Sequence, residues 1–348
     1  MITTLFQQLP QLYANLLPDV FGKDLHVEIY ADCSDCNMCQ PNDVVSDQRF
    51  FSSTSKCCTF KPIVPNYLIG GILKDSKLQT KIHDYVNSGK KMSPLGYFPT
   101  QAELKDYAAI IPHDFGIDDS VICELLVDGN CSIWQHRNSI CSTYFCHYFK
   151  GIHGKLFWED VRDFLQFIEE TISEYCCLQL NIPVDYLKHA TTNFFINVQE
   201  ALQEVPKSAP SNLDEWGKWQ GDLFNFFLEC ERIARSLTPK KIKALNPTKY
   251  SIKLAALEKS YTKMTTPILP TTLKFNPKCK IIEFDDSQTF FYIDRLIKLP
   301  SVLKEITALF DGNRDCQTII NQASTDFNVD LNDEYLIHLY EQKILINV

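Results

Sequence analysis

Nine of the fourteen cysteines fall between Cys33 and Cys146, and they fall in pairs and triples. The order is Cys33-x2-Cys36-x2-Cys39, then the vicinal pair Cys57-Cys58, then Cys123, Cys131, Cys141 and Cys146. Thiolates at such short spacing can point into one small volume and grip a soft or borderline metal, which a lone buried thiol cannot do. Ligation would order a loop-rich region that otherwise lacks a core, so metal binding and folding are expected to be coupled.

Composition bounds the rest. A chain of 348 residues can bury a large core and is expected to divide into two or three domains. A net charge of −9 argues against nucleic-acid binding, which needs a basic footprint. The first ten residues carry neither a basic n-region nor an apolar h-region, so no secretory signal is expected. No run approaches the roughly 18 apolar residues of a membrane span. The expectation is a cytoplasmic protein without membrane contact, where clustered cysteines bind metal more often than they form disulfides. A disulfide framework is the alternative.

Four segments are expected. Residues 1–30 carry apolar positions at Leu5, Leu9, Leu12, Tyr13, Leu16 and Leu17, an amphipathic helical pattern with Pro10 at a start or break, followed by a short strand over 26–30. Residues 31–155 form the cysteine-rich region, punctuated by Pro41, Pro62, Pro65, Pro94, Pro99 and Gly70-Gly71. Residues 156–265 read as a helical domain. Phe157, Val161, Phe164, Leu165, Ile168, Ile172 and Tyr175 recur at helical spacing, with further helices over 184–202 and 216–237. Between these, 206–212 reads as a loop with Ser211 or Asn212 as an N-cap. After a linker at 265–272, residues 271–348 read as strands at 279–284 and 290–293, helices at 302–310, 316–327 and 332–342, and a closing strand at 344–348. That order suits a small winged helix. The fold class is therefore α+β: a loop-rich cysteine-cluster metal domain, a helical middle domain and a small C-terminal winged-helix domain.

A tetrahedral all-sulfur site takes zinc or an iron–sulfur cluster, and cysteine count does not choose between them. Eight of the nine could supply two four-ligand sites, and fewer could supply one site with bystanders. Cys36, Cys39, Cys57 and Cys58 are the leading ligands, with Cys123, Cys131, Cys141 and Cys146 close behind, and Cys33 evenly balanced. Cys176, Cys177, Cys230, Cys279 and Cys316 lie on apolar faces and read as core. Arg137, inside the second cysteine run, is the candidate to neutralise a thiolate-bound centre. His136, His147 and His153 are available as replacement ligands.

The segment Asp32-Cys-Ser-Asp-Cys-Asn-Met-Cys39, with Lys56-Cys-Cys-Thr-Phe-Lys-Pro62 and Leu68-Ile-Gly-Gly71, resembles the opening of the zinc- or iron-chelating cysteine-cluster family, the YkgJ-like family. The segment from Cys131 to Cys146, with Trp134 and Arg137 inside it, is similar to that family's second signature, and Cys123 sits where the family places a preceding cysteine. The resemblance covers about residues 30–155 and implies metal binding: an iron–sulfur cluster (4Fe-4S) or zinc. Compact members put a CxxC within a few residues of the CC pair, whereas here 17 residues separate Cys39 from Cys57. Some relatives, the flagellin lysine-N-methylases, are linked to S-adenosylmethionine and an iron–sulfur cluster. No glycine-rich loop here supports S-adenosylmethionine, since Gly70-Gly71 is not such a motif, and the methylase activity is not carried over.

The pattern of a helix ending at Asp311-Gly312, then a helix, then a helix running into Ile344-Leu-Ile346 resembles PqqD-like peptide recognition elements, which implies capture of a peptide or protein partner by strand addition. A generic winged helix is the alternative. From Thr271 to Val348 there are 8 Lys and Arg against 12 Asp and Glu, a net of −4, which disfavours DNA. Peptide capture at a strand edge needs no such charge. Nine basic residues and one acid lie between Arg232 and Lys263, a stripe that could steer an acidic partner but reads more simply as solvated helix faces. There is no Ser-His-Asp elbow, Walker loop or HExxH. Asp114 and Asp118-Asp119 are weak acid–base candidates, and a low-pKa thiolate beside Arg137 a weak nucleophile. The expected function is an enzyme or accessory factor of peptide or protein modification built on a metal centre. The alternative is a non-catalytic, zinc-stabilised adaptor.

Overall fold

The computed structural model describes residues 2–28, 36, 38–39, 51–75, 80–190, 215–266, 268–283, 288–293 and 296–348, with backbone alone at 111–113, 189–190, 288, 290 and 292. Cys33, the strand end at 29–30, residues 191–202, the loop and caps at 206–212 and the turn at 285–287 lie outside the described residues. Among the described residues helix and sheet are mixed, at 54% and 14%. Among the described residues no helix is long and apolar enough to cross a membrane.

The N-terminal apolar pattern does not become one helix. Strand β1 (Ile2–Thr4) pairs antiparallel with β2 (Asp24–His26), and between them run α1 (Leu5–Gln8) and two 3-10 turns, Gln11–Asn15 and Asp19–Gly22. Pro10 and Pro18 each stand at the N-cap of a 3-10 turn. Their fixed φ and missing N–H break the ladder there, so the apolar residues are buried by folding back rather than along one face.

Strands β3 (Val64–Pro65), β4 (Met92–Ser93) and β5 (Gly96–Tyr97) form a small sheet in the order β3-β5-β4. It flanks α2 (Asn66–Lys74), of which every residue but Lys74 is buried; α2 and α3 (Lys81–Ser88) connect β3 to β4, and α4 (Gln101–Asp114) follows β5. The hairpin of β6 (Leu126–Val127) and β7 (Asn130–Cys131) turns on Asp128-Gly129, both at positive φ (50° and 73°), the requirement of a tight two-residue loop. Helix α5 (Ser139–Thr143) leads into α6 (Gly151–Gln179), 29 residues and about 44 Å long.

Helix α6 buries Phe157, Val161, Phe164, Leu165, Ile168 and Ile172, the face expected from periodicity. After α7 (Val184–Ala190) come α8 (Leu223–Arg235), α9 (Pro239–Leu245) and α10 (Pro247–Thr265). Pro239 and Pro247 sit at the first helical position, after Thr238 and Asn246, whose side chains accept the N–H of Lys241 and Lys249. Helix α8 packs on α2, and α10 runs along α6. Residues from Leu5 to Met264 share one core, so the cysteine-rich and helical segments are packed as one body.

A second core spans Leu273 to Leu345. It lies between two three-stranded antiparallel sheets and three helices. One sheet orders β11 (Leu296–Pro300), β10 (Gln288–Tyr292) and β9 (Lys280–Glu283); the other orders β12 (Asp311–Asp315), β8 (Thr272–Phe275) and β13 (Leu345–Asn347). The helices are α11 (Val302–Thr307), α12 (Cys316–Phe327) and α13 (Asp333–Glu341). In this second core three strands were not expected from sequence: β8, β11 and β12. Asp311-Gly312 does not simply stop a helix. Helix α11 ends at Thr307, and Asp311 opens an irregular strand paired with Lys274.

Candidate metal centre

Two sulfur groups emerge from the cysteine-rich segment. The first joins Cys58, Cys123, Cys131 and Cys141. The Cys123 N–H donates to the Cys58 carbonyl at 2.7 Å, which fixes those two backbones side by side. Leu126 donates back to the Cys123 carbonyl and pairs across the hairpin with Cys131. Cys141 rides on α5, capped by Asn138, whose Oδ1 accepts the Cys141 N–H at 2.9 Å. Burial pushes the Cys141 thiol well up, and the nearby sulfurs of Cys123, Cys131 and Cys58 push it further. Burial raises Cys123 to about 12, with Cys58 and Cys131 adding to the rise, and Cys131 is raised by burial and by Cys58. Each of these thiols therefore feels its neighbours' charge.

Arg137 sits against this group. Its guanidinium lies 3.4 Å over the Trp134 ring, Nε donates to the Trp134 carbonyl at 3.0 Å and Nη1 to the Cys141 carbonyl at 3.3 Å. Its charge pulls the Cys131 and Cys141 thiols back toward ionisation.

The second group joins Cys36, Cys39 and Cys146. Cys39 bridges to Phe51 through the backbone, and its Sγ reaches the Ser52 carbonyl at 3.7 Å. A hydrogen bond from Cys39 draws the Cys36 thiol down to about 6, helped by the Lys56 charge. The same bond pushes Cys39 upward, with Cys146 contributing. Met38, Phe51 and Leu296 pack around Cys36 and Cys146. Cys57 lies on the turn between Lys56, which faces this group, and Cys58, which belongs to the other. The two groups thus take seven of the eight described candidates and leave Cys57 between them. Among the described residues, however, no three His, Cys, Asp or Glu side chains are grouped so as to hold a metal ion.

Buried carboxylates hold the scaffold. Glu169, on α6, accepts the Ser139 N–H at 2.6 Å, the Ser139 hydroxyl at 2.5 Å and the Tyr13 hydroxyl, tying α5 and its Cys141 to the N-terminal turns. Glu124, next to Cys123, accepts from the Tyr85 and Tyr97 hydroxyls and from Lys91 Nζ at 2.9 Å. Glu28 accepts the Phe149 N–H and Trp158 Nε1, each at 2.6 Å, and so fixes the chain just after Cys146. Burial raises Glu28 and Glu169 to about 7. Sequence reasoning missed all three. The one visible signal was an acid inside an apolar helical face, Phe167-Ile168-Glu169.

Other candidates fall into ordinary roles. Cys176, Cys177, Cys230, Cys279 and Cys316 are all buried. Gly70-Gly71 is a packing device: a Cβ on Gly70 would meet the Phe227 carbonyl at 2.1 Å, and one on Gly71 would meet His136 Nδ1 at 2.7 Å. His136 thus packs against α2, with Asp75 at 4.0 Å. His147 is buried and His153 half-buried on the first turn of α6. Asp118 caps a 3-10 turn through the Ser120 N–H, Asp119 accepts the Ser52 hydroxyl and Asp114 closes α4. In the basic stripe Lys249 pairs with Glu170, Lys253 with Asp163 and Arg232 with Glu229.

No family model, curated protein or solved structure matches the chain.

Proposed function

We propose that the chain is a metal-binding cysteine-cluster protein of peptide or protein modification. What supports this reading is the electrostatic neighbourhood of Cys58, Cys123, Cys131 and Cys141, which come from a turn, a loop, a hairpin and a short helix, and the backbone hydrogen bond between Cys123 and Cys58. Four sulfurs from the protein would fill a tetrahedral zinc or a cubane iron–sulfur cluster and leave no open position, which suits a structural centre. Arg137 would offset the excess negative charge of four thiolates.

The second group, Cys36, Cys39 and Cys146, is half-buried and supplies three sulfurs. Three protein ligands are the pattern of a centre that keeps a position open for a reactant. A bound iron–sulfur cluster there would supply electron transfer or Lewis acidity. The chain's own residues would hold it, shield it with Met38 and Phe51, and keep Cys36 ionised through Lys56 and Cys39. S-adenosylmethionine has no supporting motif.

The C-terminal module would hold the partner peptide. In its first sheet β9 pairs with β10 on one side and with no strand on the other among the described residues, an edge fit for strand addition. The alternative is a zinc-stabilised adaptor, favoured by one observation, that the first group offers four sulfurs. Anaerobic purification separates the two. Brown protein with broad absorbance near about 400 nm and matching iron and sulfide supports the cluster enzyme. Colourless protein carrying zinc alone supports the adaptor, and protein with neither metal defeats both.

A further inference from the structure

Between the first turn of α6 and the last turn of α13 lies a cavity of about 90 Å³. Glu341 forms one wall. It is 3% exposed, and neither of its carboxylate oxygens has a hydrogen-bond partner among the described residues. A buried carboxylate left without donors is costly, and buried polar groups are otherwise nearly always satisfied.

Lys150 is the cation whose charge acts on Glu341, without a hydrogen bond to it, and its Nζ lies 5.4 Å over the Phe149 ring. Other nearby donors are committed elsewhere. Gln342 Nε2 donates to the Tyr148 and Phe149 carbonyls at 2.6 and 2.9 Å, and the Gly151 N–H donates to the Tyr148 carbonyl at 2.9 Å. His338 Nδ1 lies 2.8 Å from the Phe149 carbonyl. Of the two lysines on the cavity lining, Lys155 lies 3.9 Å from Glu159. Neither it nor Lys343 reaches Glu341. Ile152, Ile293 and Ile297 line the same cavity. The site therefore offers two acceptor oxygens and three isoleucines, with His147, Lys155 and Lys343 also on its lining.

We propose that this cavity binds an organic cation, a primary ammonium or guanidinium group on a short alkyl stem, with its N–H donors on Glu341. Such a group supplies the hydrogen-bond donors that Lys150, acting on Glu341 by charge alone, does not, and its stem matches the isoleucines. A metal ion is a poorer fit, because no group of three His, Cys, Asp or Glu among the described residues is disposed to complete its shell. An anion would face a buried carboxylate, and the volume is too small for a nucleotide. The site does not depend on what the sulfur groups hold.

The test uses the full chain at pH 8, above the value near 7 to which burial raises Glu341. n-Butylammonium chloride is titrated at constant ionic strength, with n-butanol, butyrate and sodium chloride as controls, following the thermal midpoint and calorimetric heat. A saturable rise with butylammonium alone is expected. Glu341→Gln should weaken it by about tenfold or more, the worth of a charge-assisted hydrogen bond. Ile152→Phe, at a 40% exposed wall position, should block it by filling the cavity, and it decides the matter if the glutamine variant fails to fold. Equal responses from wild type and Ile152→Phe, or an equal rise with butanol or butyrate, would overturn the proposal.

Discussion

Cys36 and Cys141 are opposite cases of one chemistry. Burial and neighbouring sulfurs hold Cys141 protonated, whereas a hydrogen bond and Lys56 bring Cys36 to about 6. In metal-free protein at pH 7, Cys36 is therefore expected to be the first of the clustered cysteines alkylated by iodoacetamide. Mass-spectrometric labelling from pH 5 to 9 should give its half-maximal rate near pH 6, and Cys39→Ala should move that midpoint upward. A midpoint above about 8, the ordinary thiol value, would remove the proposed pairing. Glu28 and Glu169 carry a pH signature of the fold. Their folded-state values near 7 lie above the unfolded carboxyl value, so the folded chain holds the extra protons. Stability from this source is full below about pH 4.5 and is lost as pH rises through 7, at most about 3 kcal/mol per group. Urea midpoints should fall between pH 5 and 7.5, and Glu28→Gln should flatten that slope. A slope unchanged by the substitution contradicts the assignment. The clustered cysteines were legible because their spacing is a local signal. These glutamates were not, because Trp158 is 130 residues from Glu28 and Ser139 is 30 from Glu169.

Elements were legible where one period governs a long run. Helix α6 shows its buried face at three- and four-residue steps over 29 residues. The N-terminal segment shows the same period, but Pro10 within it and Pro18 after it override it. Strands β8 and β12 were missed because their pairing is long-range and Asp311-Gly312 mimics a helix stop. The contact of α2 with α8 depends on Gly70, where a methyl would meet the Phe227 carbonyl. Gly70→Ala should cost about 2–3 kcal/mol in urea unfolding, despite alanine's better helix propensity. Gly129, at φ +73° with nothing within 4 Å of a Cβ, is the control. Its alanine variant should cost only about 1 kcal/mol, for the left-handed backbone. Equal costs at the two sites would remove the packing account.

At the scale of the molecule, two cores meet at the chain segment that follows Cys146. Phe149 is stacked between His26 at 5.0 Å and His338 at 4.9 Å, and Gln342 holds the Tyr148 and Phe149 carbonyls. Leu296 packing with Met38 beside Cys36 and Cys146 is a second contact among the described residues, so weakening the one at Phe149 should loosen the coupling of the cores on heating. Gln342→Ala is expected to split or broaden the calorimetric transition, and an unchanged single transition would place the coupling elsewhere. The same segment carries the chain from the sulfur groups to the C-terminal module, an adjacency that sequence order alone did not reveal. Whether the sulfur groups hold a metal is decided most directly by metal content per chain, measured after anaerobic purification of wild type, Cys141→Ser and Cys177→Ser. Metal in wild type and Cys177→Ser with a clear loss in Cys141→Ser is the predicted result; equal metal in all three, or none in wild type, would contradict it.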